Sequence, residues 1–238
     1  MPSDYDNISE ELSPVTTPCT TQAMMDALAF AWNKLWNASP TKEALCVLLA
    51  QWALETGWGK KCWCWNIGNY KHVPGDGRDY TYFKCDEVMR DGRTVWYDPS
   101  RLADKPYCCF KAYSTIEGGA IDYLASLNKH FTSAWPDVLA GNPEAFAHDL
   151  KLQHYYTAPE NDTTDPVTGE VRHGYKWSVH NIFHSLMNSL IFTPSPQPLF
   201  TPEQVAKIQA VAARALEEGL DEDLQPHPGD HPEEPDNA

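Results

Sequence analysis

Ala50 to Lys71 reads AQWALETGWGKKCWCWNIGNYK, and the fold turns on how its first half is read. Upstream, Ser39-Pro40 offers an N-cap with proline at the first helical position, so a helix is predicted over about 40–56. That helix is apolar on every side, through Ala44, Leu45, Val47, Leu48, Leu49, Trp52, Ala53 and Leu54. A helix without a polar face belongs in the centre of a fold, and Cys46 reads as core packing within it. Gly57 supplies the left-handed residue that stops it. Glu55 is therefore oddly placed. Its helix is apolar, Trp52 and Trp58 flank it, and a helix C-terminus carries partial negative charge. Each factor disfavours ionisation, so its pKa is expected to rise. A carboxylic acid kept neutral beside aromatic rings suits protonation of a leaving glycosidic oxygen. The plain alternative is a helix-terminal glutamate facing water.

Outward from this core, apolar residues recur at helical spacing over 20–37 (Met24, Leu28, Trp32, Trp36), 115–131, 143–153 and 175–192. Trp32 and Trp52 are expected in the core. The stretch from about 60 to 112 differs: turns at 74–77, 90–92 and 98–100 separate short β-leaning pieces such as YTYF and TVWY. A hairpin turning near Asp91-Gly92 is predicted there. The fold class is mainly α (α+β). Domain organisation is read as an acidic N-terminal extension at 1–19 and a folded domain at 20–195. The remainder, 196–238, is a proline-broken linker, an amphipathic segment at 202–218 and an acidic tail.

The net charge of -15 argues against a nucleic acid or anionic membrane as partner. Thirteen acids and no Lys or Arg lie in residues 1–20 and 217–238, so the intervening chain is near neutral. The amphipathic segment either docks on the globule or binds a partner. The acidic tail either docks a partner or keeps the protein off anionic polymers. No membrane span is expected, since no run of 18 apolar residues occurs. The first residues lack a basic, then apolar, secretory pattern, so cytoplasmic synthesis without a signal peptide is expected. The seven cysteines include no C-x-x-C pair; Cys62-x-Cys64 and Cys108-Cys109 are open to disulfide, metal or buried-thiol readings. His180 and His184 are four apart without an H-E-x-x-H motif, and no metal or cofactor is expected. Trp58, Trp63 and Trp65 cluster just after Glu55, where sugar C–H faces would stack.

These words resemble the signature of glycoside hydrolase family 73, the bacterial and phage glucosaminidases that cut peptidoglycan. Their catalytic helix reads AQ-x-ALETGWG and is followed by an Asn-Gly loop. CFKAYSTIEGGAIDYLASL and GNPEAFAHDLKLQHYYTAP, downstream, are similar to two further family segments in the same order. The resemblance covers about 40–185. It implies a lysozyme-like helical domain with a small β-hairpin lobe and peptidoglycan glycan strands as substrate, cleaved as an endo-β-N-acetylglucosaminidase would. Glu55 falls on the family's catalytic glutamate and Asn66 on the loop asparagine. The family's second acid, on the hairpin, maps to Glu87, with Asp86 as the fallback. Tyr155 falls on one family tyrosine, and Tyr175 on the next after an apparent insertion at 160–174. Catalytic roles are thus expected for Glu55, Glu87 and Tyr155. Substrate contacts are expected for Trp58, Trp65, Asn66, Tyr175 and Asp86. Related readings are a muramidase or lytic transglycosylase, and a catalytically decayed wall-binding or virion component. With no signal peptide expected, the resemblance suggests a phage-type lytic enzyme that reaches the wall by a holin or within a particle, the C-terminal segment then engaging a virion or particle partner.

Overall fold

A computed structural model describes residues 9–75, 77–88 and 93–192. Its centre is α2 (Lys42–Thr56), buried along almost its whole length from Ala44 to Ala53. A helix this apolar is stable only with neighbours all round. Those neighbours are α1 (Thr21–Trp36), α4 (Trp135–Ala140) and α6 (Tyr175–Ser189). α3 (Ile116–His130) packs on α1, and α5 (Pro143–Leu152) on α6. Trp32, Trp52 and Trp135 are all fully buried, and Trp135 lies 5.4 Å from Trp32 and 4.9 Å from Trp36 between ring centroids. The expected core positions of Trp32, Trp52 and Cys46 are where the structure places them.

The predicted helices are present with shifted ends. α2 is capped by Thr41 rather than Ser39: Thr41 is extended, and its Oγ1 accepts from Ala44 N at 3.0 Å. Only a side chain three residues ahead of that N–H reaches it, which places Ser39-Pro40 before the cap. Gly57 closes α2 at φ 56°, its N–H donating to Ala53 O. The short α4 went unanticipated because six residues are too few to show periodicity.

The β excursion consists of small antiparallel pairs. β2 (Cys85–Val88) runs against β3 (Thr94–Tyr97), from Cys85 opposite Tyr97 to Val88 opposite Thr94. This is the predicted hairpin, although Asp91-Gly92 itself lies outside the described residues. β1 (Tyr80–Tyr82) pairs instead with β4 (Cys109–Lys111), a partner distant in sequence. Within 160–174, β5 (Thr163–Thr164) and β6 (Val171–Arg172) form a minimal hairpin. Residues ahead of α1 are tied to the domain: Leu12 N donates to Tyr80 O at 2.7 Å and Cys64 N to Val15 O at 2.9 Å. The amphipathic segment at 202–218 and the acidic tail lie outside the described residues. All seven cysteines are free thiols. Among the described residues, no helix is long and apolar enough to cross a membrane.

One close approach seats the loop after α2. A Cβ at Gly119 would stand 2.1 Å from the Trp65 carbonyl oxygen, so only glycine lets α3 pack this tightly against the loop.

Candidate active site

Glu55 occupies the last turn of α2, where the helix emerges from the core. Tyr175, the first residue of α6, donates its hydroxyl to Glu55 Oε1 at 2.9 Å. Tyr70, Tyr123 and Tyr155 also lie close enough for the glutamate's charge to disfavour their ionisation. These four tyrosines come from the loop after α2, from α3, from the segment after α5 and from α6. Burial raises all four pKa values well above the ordinary phenol value, so each hydroxyl keeps its proton. Burial likewise pushes Glu55 up to about 7, against the opposing pull of the Tyr175 hydrogen bond. The cause foreseen from sequence, an apolar surrounding at a helix end, is thus the dominant one. The carboxyl is neutral through mildly acidic pH and can release a proton near neutrality.

Each tyrosine is anchored. Tyr175 N donates to Pro159 O at 2.9 Å, and its ring stacks on Tyr156 at 3.7 Å and 12°. Tyr155 donates its hydroxyl to Gly68 O at 3.0 Å and meets Tyr70 edge-on at 6.3 Å. Tyr123 donates to Gln51 Oε1 at 2.5 Å. Tyr70 keeps a buried hydroxyl that finds no hydrogen-bond partner among the described residues. A Cβ at Gly68 would come within 2.7 Å of the Tyr70 ring, so the glycine lets that ring close in.

Behind the tyrosines lies a second carboxyl of opposite character. Asp122, 5% exposed on α3, accepts from Tyr113 Oη at 2.6 Å, Arg78 Nε at 2.8 Å and Lys111 Nζ at 3.2 Å. Burial pushes its pKa up, but the tyrosine hydrogen bond and the two cations outweigh that and hold it below the ordinary value. Sequence reading missed Gln51, Tyr70, Tyr123 and Asp122. Their motif segments were in view, but the side-chain convergence was not.

The residues singled out from sequence fall into different settings. Glu55, Tyr155 and Tyr175 are brought together. Asn66 is buried with its amide spent on backbone: Nδ2 donates to Tyr70 O at 2.8 Å and Lys111 O at 3.0 Å, and Oδ1 accepts from Tyr70 N at 2.8 Å. It clamps the loop to β4 rather than facing a ligand. Trp58 is 42% exposed at φ 60° and presents a ring at the helix end. Trp65 is half-buried beneath α3, and Trp63 stacks on Phe83 at 5.2 Å. Asp86 is exposed on β2 opposite Trp96. The backbone of Glu87 lies in β2 opposite Val95, and its side chain is outside the described residues. His180 pairs with Glu144 at 2.9 Å, with His184 beside it. Among the described residues, no cluster of three or more His, Cys, Asp or Glu is arranged to hold a metal.

No family model matches the chain. Over 115 residues the chain is 32% identical to the peptidoglycan hydrolase FlgJ of Pseudomonas aeruginosa. That stretch is 48% of this chain and 28% of FlgJ, so the chain spans less than a third of the curated relative it matches. Similar solved structures include a peptidoglycan hydrolase mutant from Sphingomonas sp. A1, at 22% identity and TM-score 0.46, covering 70% of this chain and 96% of that one. The glycoside hydrolase domain of FlgJ from Salmonella typhimurium has 17% identity and TM-score 0.42, over 84% of this chain and 99% of that one. The catalytic domain of the autolysin Auto from Listeria monocytogenes has 15% identity and TM-score 0.43, over 73% and 88% respectively.

Proposed function

We propose that this chain is a peptidoglycan hydrolase that cleaves glycan strands as an endo-β-N-acetylglucosaminidase, with Glu55 as its general acid. The observation that carries the reading is the state of Glu55, a carboxyl held neutral to about pH 7 by burial and oriented by Tyr175. The 32% identity to a protein named as a peptidoglycan hydrolase supports the substrate class.

In this reading the Glu55 proton passes to the glycosidic oxygen as the C1–O bond breaks, and positive charge develops on the sugar ring. A second carboxylate must then stabilise that centre or activate the water whose oxygen adds to C1. Glu87, on β2 of the hairpin, is assigned that role, with Asp86 beside it. If Glu87 stabilises the centre, Glu55, left as carboxylate, takes the proton of the water that adds to C1; if Glu87 activates that water, Glu87 takes its proton, and the two carboxyls reset by exchange with solvent. Tyr175 shares its hydrogen bond with whichever form Glu55 adopts, and Tyr155 shapes the same wall through Gly68. The exposed ring of Trp58 at the helix end offers a face for sugar stacking.

The test is digestion of purified peptidoglycan by wild type and Glu55→Gln, followed by borohydride reduction and mass spectrometry. New reducing-end N-acetylglucosamine, absent with the variant, is the expected result. Reducing-end N-acetylmuramic acid or an anhydro product would reassign the bond or the mechanism. No cleavage by either protein would overturn the enzymatic reading.

A further inference from the structure

Gln51 is buried outright, at 0% exposure, one helical turn before Glu55 and on the same side of α2. A buried polar side chain in the most apolar helix of the fold needs a reason, because a buried amide left without hydrogen-bond partners is destabilising. Half of the amide is accounted for: Oε1 accepts the Tyr123 hydroxyl at 2.5 Å. That bond decides which way the amide faces and turns Nε2 the other way. There Nε2 is buried and completes no hydrogen bond among the described residues. Tyr175 responds to this side chain: Gln51 opposes the rise in the phenol's pKa, as a donor beside Oη does, although no hydrogen bond joins the two. Tyr175 in turn donates its one proton to Glu55 Oε1.

We infer that Gln51 is a positioning residue: Tyr123 locks its amide so that Nε2 addresses Tyr175 Oη, leaving Glu55 Oε1 as the acceptor for the Tyr175 proton. With Tyr175 donating to Oε1, the acidic proton of Glu55 resides on Oε2, the oxygen left for the leaving group. Were the amide reversed, Gln51 would offer Tyr175 an acceptor and draw its proton away from Glu55. The ionisable groups close enough to feel the charge of Glu55 are Tyr70 on the loop, Tyr123 on α3, Tyr155 after α5 and Tyr175 on α6, with Asp122 behind Tyr70; of these, Tyr175 acts back on Glu55 through its hydrogen bond. All four phenols stay neutral, so the line from Tyr123 to Glu55 is one of hydrogen-bond direction rather than charge. The inference rests on the reading of Glu55 as the general acid.

The experiment titrates the Glu55 carboxyl by 13C NMR in protein labelled at the glutamate δ-carbon, its signal assigned by loss in Glu55→Gln. It needs no turnover, so failure of the glycosidase reading would appear separately, as absent cleavage with an intact titration. Tyr175→Phe removes the donor and should raise the Glu55 midpoint by about one pH unit. Gln51→Met, close in size and without an amide, should raise it by about half as much. Added to Tyr175→Phe, it should change nothing further. Tyr123→Phe frees the amide to turn and should shift the midpoint the same way, which keeps the test open should Gln51→Met fold poorly. In the active enzyme, the basic limb of the pH–rate profile should move with the NMR midpoint. An unchanged midpoint in folded Gln51→Met, or a shift that persists in the Tyr175→Phe background, would overturn the assignment.

Discussion

Glu55 and Asp122 are both carboxyls withdrawn from water, both acting on Tyr70, yet they settle in opposite protonation states. Among the described residues, Glu55 has one hydrogen-bond donor, Tyr175, and no cation beside it; burial wins, and its pKa reaches about 7. Asp122 suffers the same desolvation but has Tyr113, Lys111 and Arg78 around it, and stays ionised. Burial alone therefore does not make an acid; the count of donors and cations decides. The contrast also divides the labour. Glu55 keeps a proton it can release near neutrality, while Asp122 is a fixed anion tying α3 to the β excursion through Arg78 and Lys111.

Four measurements would break or sharpen that contrast. The largest effect is expected on rate. Glu55→Gln should lower peptidoglycan cleavage by about 10³-fold or more while circular dichroism stays that of the wild type. Activity within a few-fold of wild type would end the division proposed. Asp122→Ala should act on stability instead, costing about 3 kcal/mol in urea unfolding, because it strands Lys111, whose side chain is 13% exposed. The exposed half of Arg78 softens that loss.

The two carboxyls should also give opposite pH signatures. Glu55 has a folded pKa above its unfolded one. Its stabilising contribution is complete below about pH 4 and is lost as pH rises through about 7. Glu55→Gln should therefore gain stability on wild type across that window, by up to about 3 kcal/mol at alkaline pH. Asp122, depressed, contributes above its unfolded value of about 3.9, and its contribution is lost as pH falls through the lower folded value. Denaturant midpoints measured from pH 3 to 9 would show both slopes; a flat difference for Glu55→Gln would refute the buried neutral acid.

The smallest effect concerns a third carboxyl. Asp137 on α4 is pushed up to about 7, first by burial and then by the charge and hydrogen bond of Asp149 on α5. Asp137→Asn should stabilise the protein by about 1 kcal/mol above pH 7, since both groups retain solvent contact. It should leave cleavage unchanged. Thermal melts at pH 5 and 8 would check it, with the gain expected to be larger at pH 8 than at pH 5, because it accrues between about pH 4 and 7.

Some of this was legible along the chain because its cause is local. The buried helix, its glycine stop and the unfavourable site for an ionised Glu55 follow from neighbours within one or two turns. The hairpin strands on either side of residues 89–92 follow from turn residues between β-leaning pieces. Asn66 shows the limit. Its place in a motif drew attention to it, yet its amide is consumed by the backbone of Tyr70 and Lys111, the second of which is remote in sequence. The pairing of Tyr80–Tyr82 with Cys109–Lys111 was invisible for the same reason.

What the sequence determined by itself was a mainly α chain built around one apolar helix that ends in a reluctant carboxylate. Periodicity, capping and desolvation by adjacent residues suffice for that. Only the tertiary structure decided that four tyrosines close on that carboxylate, that Gln51 lies one link behind it, and that Asp122 beside them stays charged. Those outcomes depend on hydrogen-bond geometry within a few ångströms between α2, α3, α6 and the loops that follow α2 and α5, and no local pattern encodes such distances.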